Sequence, residues 1–204
     1  MKIAVIGATG RVGSRIVTEA LARGHQVTAI ARNVDAVEPR PNLTVRRGDA
    51  ADPDALAKLL AGHDAVVSAL RFAGTDPHAL IDIVKRSGVR RYLVVGGAGS
   101  LEVAPGARLM DTPDFPAAFK AEANAGGEFL RTLRDEDGAL DWTFLSPSAF
   151  FAPGERTGHF RIGDDRLLTG SDGKSAISME DYAIAVLDEL EHPAHVRRRF
   201  TVGY

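Results

Sequence analysis

Met1-Lys2-Ile3-Ala4-Val5-Ile6-Gly7-Ala8-Thr9-Gly10-Arg11-Val12-Gly13 opens the chain. A short apolar run leads directly into three glycines spaced three apart, and a helical pattern follows from Arg11 to about Arg23. This strand–turn–helix order builds a cradle for a diphosphate. Gly7 permits the tight turn, Gly10 lets backbone approach the ligand, and Gly13 lets the helix pack closely on the sheet. The first amides of a helix lack intrahelical acceptors and sit at its positive end, so an anion fits there. Gly7, Thr9, Gly10, Arg11, Val12 and Gly13 are the expected contacts. The spacing is Gly-x-x-Gly-x-x-Gly, not the Gly-x-Gly-x-x-Gly of the common dehydrogenase fingerprint.

Working outward, strand and helix patterns alternate. Strands are expected at Lys2–Ile6, Gln26–Ala31, Leu43–Arg47, Ala65–Ala69, Tyr92–Val95, Trp142–Leu145 and Phe200–Val202, with helical patterns between them. Asp52-Pro53 and Asp76-Pro77 each place a capping aspartate before a first-turn proline. Ser178 is the expected cap of a last helix that buries Tyr182, Val186, Leu187 and Leu190. Strands separated by helices imply parallel pairing and right-handed crossovers. The expected fold is therefore α/β: a Rossmann-like, doubly wound, mostly parallel sheet in a single domain over residues 1–204.

Composition fits that reading. Formal net charge is −2, which gives no pull towards nucleic acid or anionic lipid. The opening apolar run is too short for a signal peptide or membrane span. The chain has no cysteine, hence no disulfide, thiolate metal site or catalytic thiol. A cytoplasmic monomer or homodimer is the simplest expectation. No metal site is expected, because Pro193 separates His192 from His195. Arg197-Arg198-Arg199 reads as a solvated, edge-protecting run.

Two stretches, around 97–114 and 147–175, are too long for simple connectors. Both leave the carboxyl ends of strands, where open parallel sheets bind ligands. Within the second, Gly158–Ile162 and Arg166–Thr169 flank Gly163-Asp164-Asp165 as a possible small hairpin. Gly126-Gly127 interrupts a helical pattern, and close packing against a neighbour or a partner helix would account for it.

The second strand's end selects the nucleotide. NAD sites place an acid about 20 residues past the glycines, on the ribose hydroxyl. Here Arg32 stands nineteen residues after Gly13. Its guanidinium suits a 2′-phosphate, so NADP(H) is expected over NAD(H). Asp49 is placed to accept the adenine amino group or to serve nearby helix capping. Ala50, the small Ser68-Ala69-Leu70 end of the fourth strand, Gly97 and Pro147 complete the expected cofactor contacts.

Several segments together carry a family resemblance. They are the glycine turn, Gly96-Gly97-Ala98-Gly99-Ser100-Leu101, Asp111-Thr112-Pro113-Asp114-Phe115-Pro116, Leu145-Ser146-Pro147-Ser148-Ala149-Phe150-Phe151 and Ile177-Ser178-Met179-Glu180-Asp181-Tyr182-Ala183. The chain resembles the atypical short-chain dehydrogenase/reductases of the NADH-flavin reductase group, related to biliverdin reductase B and NmrA-like proteins. The resemblance implies a nicotinamide cofactor and reduction of flavins or related rings.

One departure is informative. Typical short-chain dehydrogenases carry Tyr-x-x-x-Lys after the fifth strand, the tyrosine acting as proton donor. Here Pro116 lies four residues before Lys120, and Phe119 stands where the resemblance predicts tyrosine. A flavin or quinone ring escapes the need for a protein acid, because its reduced anion is delocalised and water can protonate it. FMN or another flavin is thus expected as substrate rather than prosthetic group. Phe150 and Phe151, with Met110 or Phe115 and with Ser148, are the expected pocket. Lys120 is the candidate catalytic cation, or else a helix-surface charge. Two other readings remain open: an NADP(H)-binding redox sensor of the NmrA type without turnover, and an epimerase or dehydratase, which the absent tyrosine disfavours.

Overall fold

Eight strands form one sheet, in the spatial order Arg161–Gly163, Arg198–Gly203, Asp141–Ser146, Arg91–Val95, Ala65–Ser68, Lys2–Ile6, Gln26–Ala31 and Leu43–Arg47. The computed structural model describes residues 1–204. In chain order the elements are β1 (Lys2–Ile6), α1 (Gly13–Ala22), β2 (Gln26–Ala31), β3 (Leu43–Arg47), α2 (Pro53–Leu60), β4 (Ala65–Ser68), α3 (Pro77–Arg86) and β5 (Arg91–Val95). There follow β6 (Glu102–Ala104), β7 (Ala107–Arg108), α4 (Lys120–Arg134), β8 (Asp141–Ser146), β9 (Phe150–Ala152), β10 (Arg161–Gly163), β11 (Ala176–Ser178), α5 (Met179–Glu191) and β12 (Arg198–Gly203). Within the eight-stranded sheet all pairings are parallel except β10 with β12, and the separate pair β6–β7 is antiparallel. The order reverses between β1 and β4, which opens a crevice at their carboxyl ends. The protein is a single Rossmann-like α/β domain.

Strand alternation creates two cores. Ile3 and Val5 of β1 point to the layer of α1 and α5, while Ala4 and Ile6 point to the layer of α2, α3 and α4. Both faces are covered, so the central strands are apolar at most positions, with polar residues such as Ser68, Arg91 and Ser146 at their ends, as buried parallel strands favour. Local caps agree with the sequence. Asp52 accepts from the Ala55 amide at 3.1 Å, Asp76 from His78 at 2.9 Å, and Ser178 from Asp181 at 2.9 Å. No helix is long and apolar enough to cross a membrane.

Three expectations are corrected. The β2–β3 crossover over residues 32–42 contains no helix; Pro39 and Pro41 interrupt it and no apolar periodicity supports one. The 158–169 segment makes no hairpin of its own. Instead Arg161–Gly163 pairs antiparallel with β12, and Arg166 bridges Glu102. An isolated two-stranded hairpin is marginal, whereas the open edge of β12 offers a full sheet to join. Finally, the Arg197–Arg199 run is not uniformly solvated. Arg199 is buried, and its Nε donates to Asp165 at 2.6 Å. Its Nη1 donates to the Ser100 hydroxyl at 2.9 Å, and Arg134 joins Asp165 at 3.0 Å. Burial pushes the Arg199 guanidinium down in pKa, and Asp165 opposes that shift. This cluster pins the two long insertions to each other, with help from the Glu102 amide on the Asp165 carbonyl at 2.9 Å.

Candidate functional site

The turn after β1 is built for backbone, not side chains. Gly7 has φ +78°, and a Cβ there would lie 2.6 Å from the Ala69 carbonyl oxygen. A Cβ on Gly13 would meet the Gly7 carbonyl oxygen at 2.2 Å. Glycine is required at both positions. The Gly10 amide closes the turn on the Gly7 carbonyl at 3.0 Å. The amides of Arg11, Val12 and Gly13 have no acceptor in the chain. Three free donors at the start of a ten-residue helix make a cradle suited to a diphosphate.

Beside this turn lies a cavity of about 680 Å³, within the usual range of small-ligand pockets. Gly10, Arg11 and Val12 form one wall, and Ala69 to Phe72 after β4 form the next. The loop after β5, Gly96 to Ser100, crosses the floor, while Pro147, Ser148, Ala149 and Phe151 come from the end of β8 and from β9. Leu109, Phe115, Phe119 and one face of α4 close the far side. The wall is mostly apolar. Its carboxylate, Glu122, accepts from the Phe72 amide at 2.7 Å and the Ala73 amide at 2.9 Å, so it fixes the loop after β4.

The structure thus brings together Gly10, Arg11, Val12, Ala69, Leu70, Gly97, Pro147, Phe115, Ser148 and Phe151 among the sequence candidates. Gly7 and Gly13 shape the turn just described. Thr9 is exposed on it, outside the cavity wall. The Ser68 side chain turns into the core, where its hydroxyl lies 2.9 Å from that of Tyr92. Ser148 is buried and donates to the Val202 carbonyl at 2.9 Å, so its hydroxyl braces the wall. Arg32, Asp49 and Ala50 follow the ends of β2 and β3 and lie outside this cavity. Arg32 is exposed and makes no hydrogen bond or ion pair, while Asp49 accepts from the Ala51 amide at 3.1 Å in a local turn.

Three candidates are misplaced. Lys120 is exposed and absent from the cavity wall. Phe119, Glu122, Ala123, Gly126 and Gly127 face the cavity at helical spacing, and Lys120 falls one position out of phase. Phe150 is 69% exposed; strand alternation on β9 sends it out and Phe151 in. The Phe151 ring lies 4.8 Å from that of Tyr182. Met110 is buried behind the wall, its amide on the Gly99 carbonyl at 2.9 Å, and Leu109 takes the lining position.

Sequence reasoning missed Arg71, Phe72 and Glu122. Gly126 has the close packing expected of it, against a neighbour that the sequence does not identify: a Cβ there would approach the Phe72 ring to 3.0 Å. Phe72 in turn stacks on Phe144 with centroids 5.8 Å apart. No pattern in a single sequence announces such a contact between residues fifty-four positions apart.

Proton donors are scarce here. Neither histidine, lysine, cysteine nor tyrosine lines the cavity. Tyr92 and Tyr182 are fully buried, and burial pushes both phenols well above their ordinary range. The Tyr182 hydroxyl donates to the Leu145 carbonyl at 2.6 Å.

Comparison with known proteins agrees with the geometry. A family model described as NAD(P)H-binding matches residues 7–193. A Burkholderia pseudomallei structure provisionally described as an exported protein is 47% identical, with TM-score 0.91 and full coverage of both chains. A Bacteroides thetaiotaomicron structure provisionally named an epimerase is 44% identical, with TM-score 0.94, covering 100% of this chain and 96% of the other. A Streptococcus pneumoniae structure provisionally named an NADH-flavin reductase is 38% identical, with TM-score 0.85, covering 100% and 99%. Two of these names give different activities and the third gives none, whereas the cradle, the sheet order and the family match agree on the ligand class. The chain belongs to the NAD(P)H-binding family of oxidoreductase-like Rossmann-fold proteins.

Proposed function

We propose that the protein is an NADP(H)-preferring reductase that passes hydride to a flavin, a quinone or a similar conjugated ring. The observation that carries this reading is the chemistry of the cavity wall: broad, apolar and without a side-chain acid beyond the engaged Glu122. The free amides of Arg11, Val12 and Gly13 would hold the diphosphate, and Arg32 would hold the 2′-phosphate. When bound, the reduced nicotinamide supplies a hydride to the acceptor ring, leaving oxidised cofactor and a reduced ring that takes its further proton from water.

The chain's own contribution is positional. Phe151, Phe115 and Phe119 offer flat apolar faces that keep a ring aligned and exclude water from one side. Glu122 holds the Phe72–Ala73 backbone, and thereby the wall against which such a ring rests. An alcohol or ketone substrate fits this site poorly, because it needs a proton at a defined oxygen and no tyrosine is within reach.

The test is turnover. Purified protein with NADPH and FMN, riboflavin or a quinone is expected to consume NADPH steadily, and Phe151→Ala is expected to raise KM for the ring acceptor more than it lowers kcat. Protein that binds NADPH yet oxidises none of it across such a panel would sink the proposal. A nucleotide-reporting role without turnover is favoured by the 62% exposed Phe119 at the cavity. It predicts capture of a protein partner that depends on NADP(H).

A further inference from the structure

Gly126 and Gly127 are adjacent in α4, and a glycine inside a helix weakens it relative to alanine. Their packing differs. A Cβ on Gly126 would crowd the buried Phe72 ring at 3.0 Å and 3.2 Å, so that a side chain there would force Phe72 to shift within the core. A Cβ on Gly127 would meet only the Met110 Cε at 3.5 Å and the Ser100 Cβ at 3.8 Å, both ordinary contacts. Gly127 has a helical φ and a Cβ there would meet nothing closer than ordinary van der Waals contact, so neither backbone conformation nor packing within the chain calls for glycine. It does line the cavity.

From this contrast we infer that Gly127 is a specificity-determining residue for the acceptor: its missing side chain leaves the room in which the edge of a planar fused ring lies against α4. This inference rests on the proposed ring-reductase reading and adds to it where the ring sits. The neighbouring wall is consistent with such a slot. Ala123 stands one turn earlier on the same face, and Gly99 packs so tightly on it that a Cβ would approach to 2.6 Å. The loop after β5 and the helix therefore form a fixed narrow corner that Gly127 widens. A flat ring needs backbone approach at van der Waals distance along one edge, and a methyl or larger group at 127 occupies that space. Substrates with a single small ring do not need it.

The inference is tested with Gly127→Ala and Gly127→Leu, measuring thermal stability, NADPH affinity by calorimetry, and affinity for FMN and riboflavin by quenching of flavin fluorescence. The alanine variant is expected to raise Tm by about 2–4 °C, since the helix gains a better residue without a clash. NADPH affinity is expected to stay within about twofold. Flavin affinity is expected to fall about tenfold in the alanine variant and further in the leucine variant. Flavin affinity unchanged in both variants would overturn the role of Gly127 while leaving the reductase reading intact. Wild-type protein that binds NADPH but binds no flavin and turns over no ring acceptor would overturn both. A drop in Tm for Gly127→Ala would show that the chain itself needs the glycine, and would overturn the argument at its root.

Discussion

Arg32 has the simplest job assigned to any side chain here, and its environment makes the assignment testable. It is exposed, unpaired and placed one residue past β2, whose last residue Ala31 pairs with Arg47 of β3. An unpaired guanidinium has no internal partner to lose, so its removal should leave stability nearly unchanged. A charge-assisted contact to phosphate contributes about 1.5–3 kcal/mol, roughly a 10–100-fold change in affinity. Arg32→Ala is thus expected to weaken NADPH by that factor and NADH by less than about threefold, measured by calorimetry at fixed salt. Equal losses for both coenzymes would remove Arg32 from the 2′-phosphate. Side chains of this kind are readable from sequence because the turn fixes their place in the chain. Lys120 was not, because one residue of helical phase separates a cavity wall from solvent.

Among the elements, the segment from Pro153 to Phe160 shows how irregular chain is held without strands. It has no regular structure, yet four anchors tie it down. Thr157 donates to Asp181 and the Gly158 amide donates to the same carboxylate at 2.9 Å. The Gly154 amide donates to Glu180 at 2.7 Å, and Arg156 donates to Glu19 of α1 with two bonds of 2.9 Å. Burial pushes the Asp181 carboxyl up, but the bonds from Thr157, Gly158 and Tyr204 outweigh it and hold it below the ordinary range. Arg156 does the same for Glu19 against its burial. A depressed carboxylate stabilises the fold above its unfolded pKa and loses that contribution as pH falls through the folded value. Proteolysis within 153–160 is therefore expected to accelerate as pH drops below about 4, before global unfolding, and Asp181→Asn is expected to show the acceleration already at neutral pH. A cleavage rate that follows global unfolding at every pH would reject a separately anchored strap. The regular elements were legible because caps and apolar periodicity are local signals: β1, β2 and β3 begin and end where the sequence places them. The partners of 158–169 and the clamp between Arg199, Asp165 and Ser100 were not, since they join segments tens of residues apart by hydrogen bonds that no spacing encodes.

The sheet places two unlike ligand environments on one edge: an exposed cationic corner beyond β2 and β3, and an apolar cavity beyond β4, β5 and β8. On the proposed reading a dinucleotide would span both, with the glycine turn between them. Binding should then stabilise the fold by linkage, about 2.7 kcal/mol at a ligand concentration of one hundred times Kd. For a domain of this size that corresponds to a rise in Tm of roughly 5–10 °C. Hydrogen exchange should localise the effect, with added protection at 10–14 and 96–100, where free amides and the cavity floor meet the ligand. The Arg91–Glu189–His195 cluster, where Glu189 pairs with Arg91 at 2.9 Å and with His195 at 2.8 Å, has no part in such contacts and should show no specific gain. Arg32→Ala should retain the pattern of protection and lose about half or more of the NADPH-induced rise at the same concentration. Absence of any rise with either reduced coenzyme, in protein with a cooperative melt, would mean that the glycine turn binds no dinucleotide and serves only to pack α1 on the sheet.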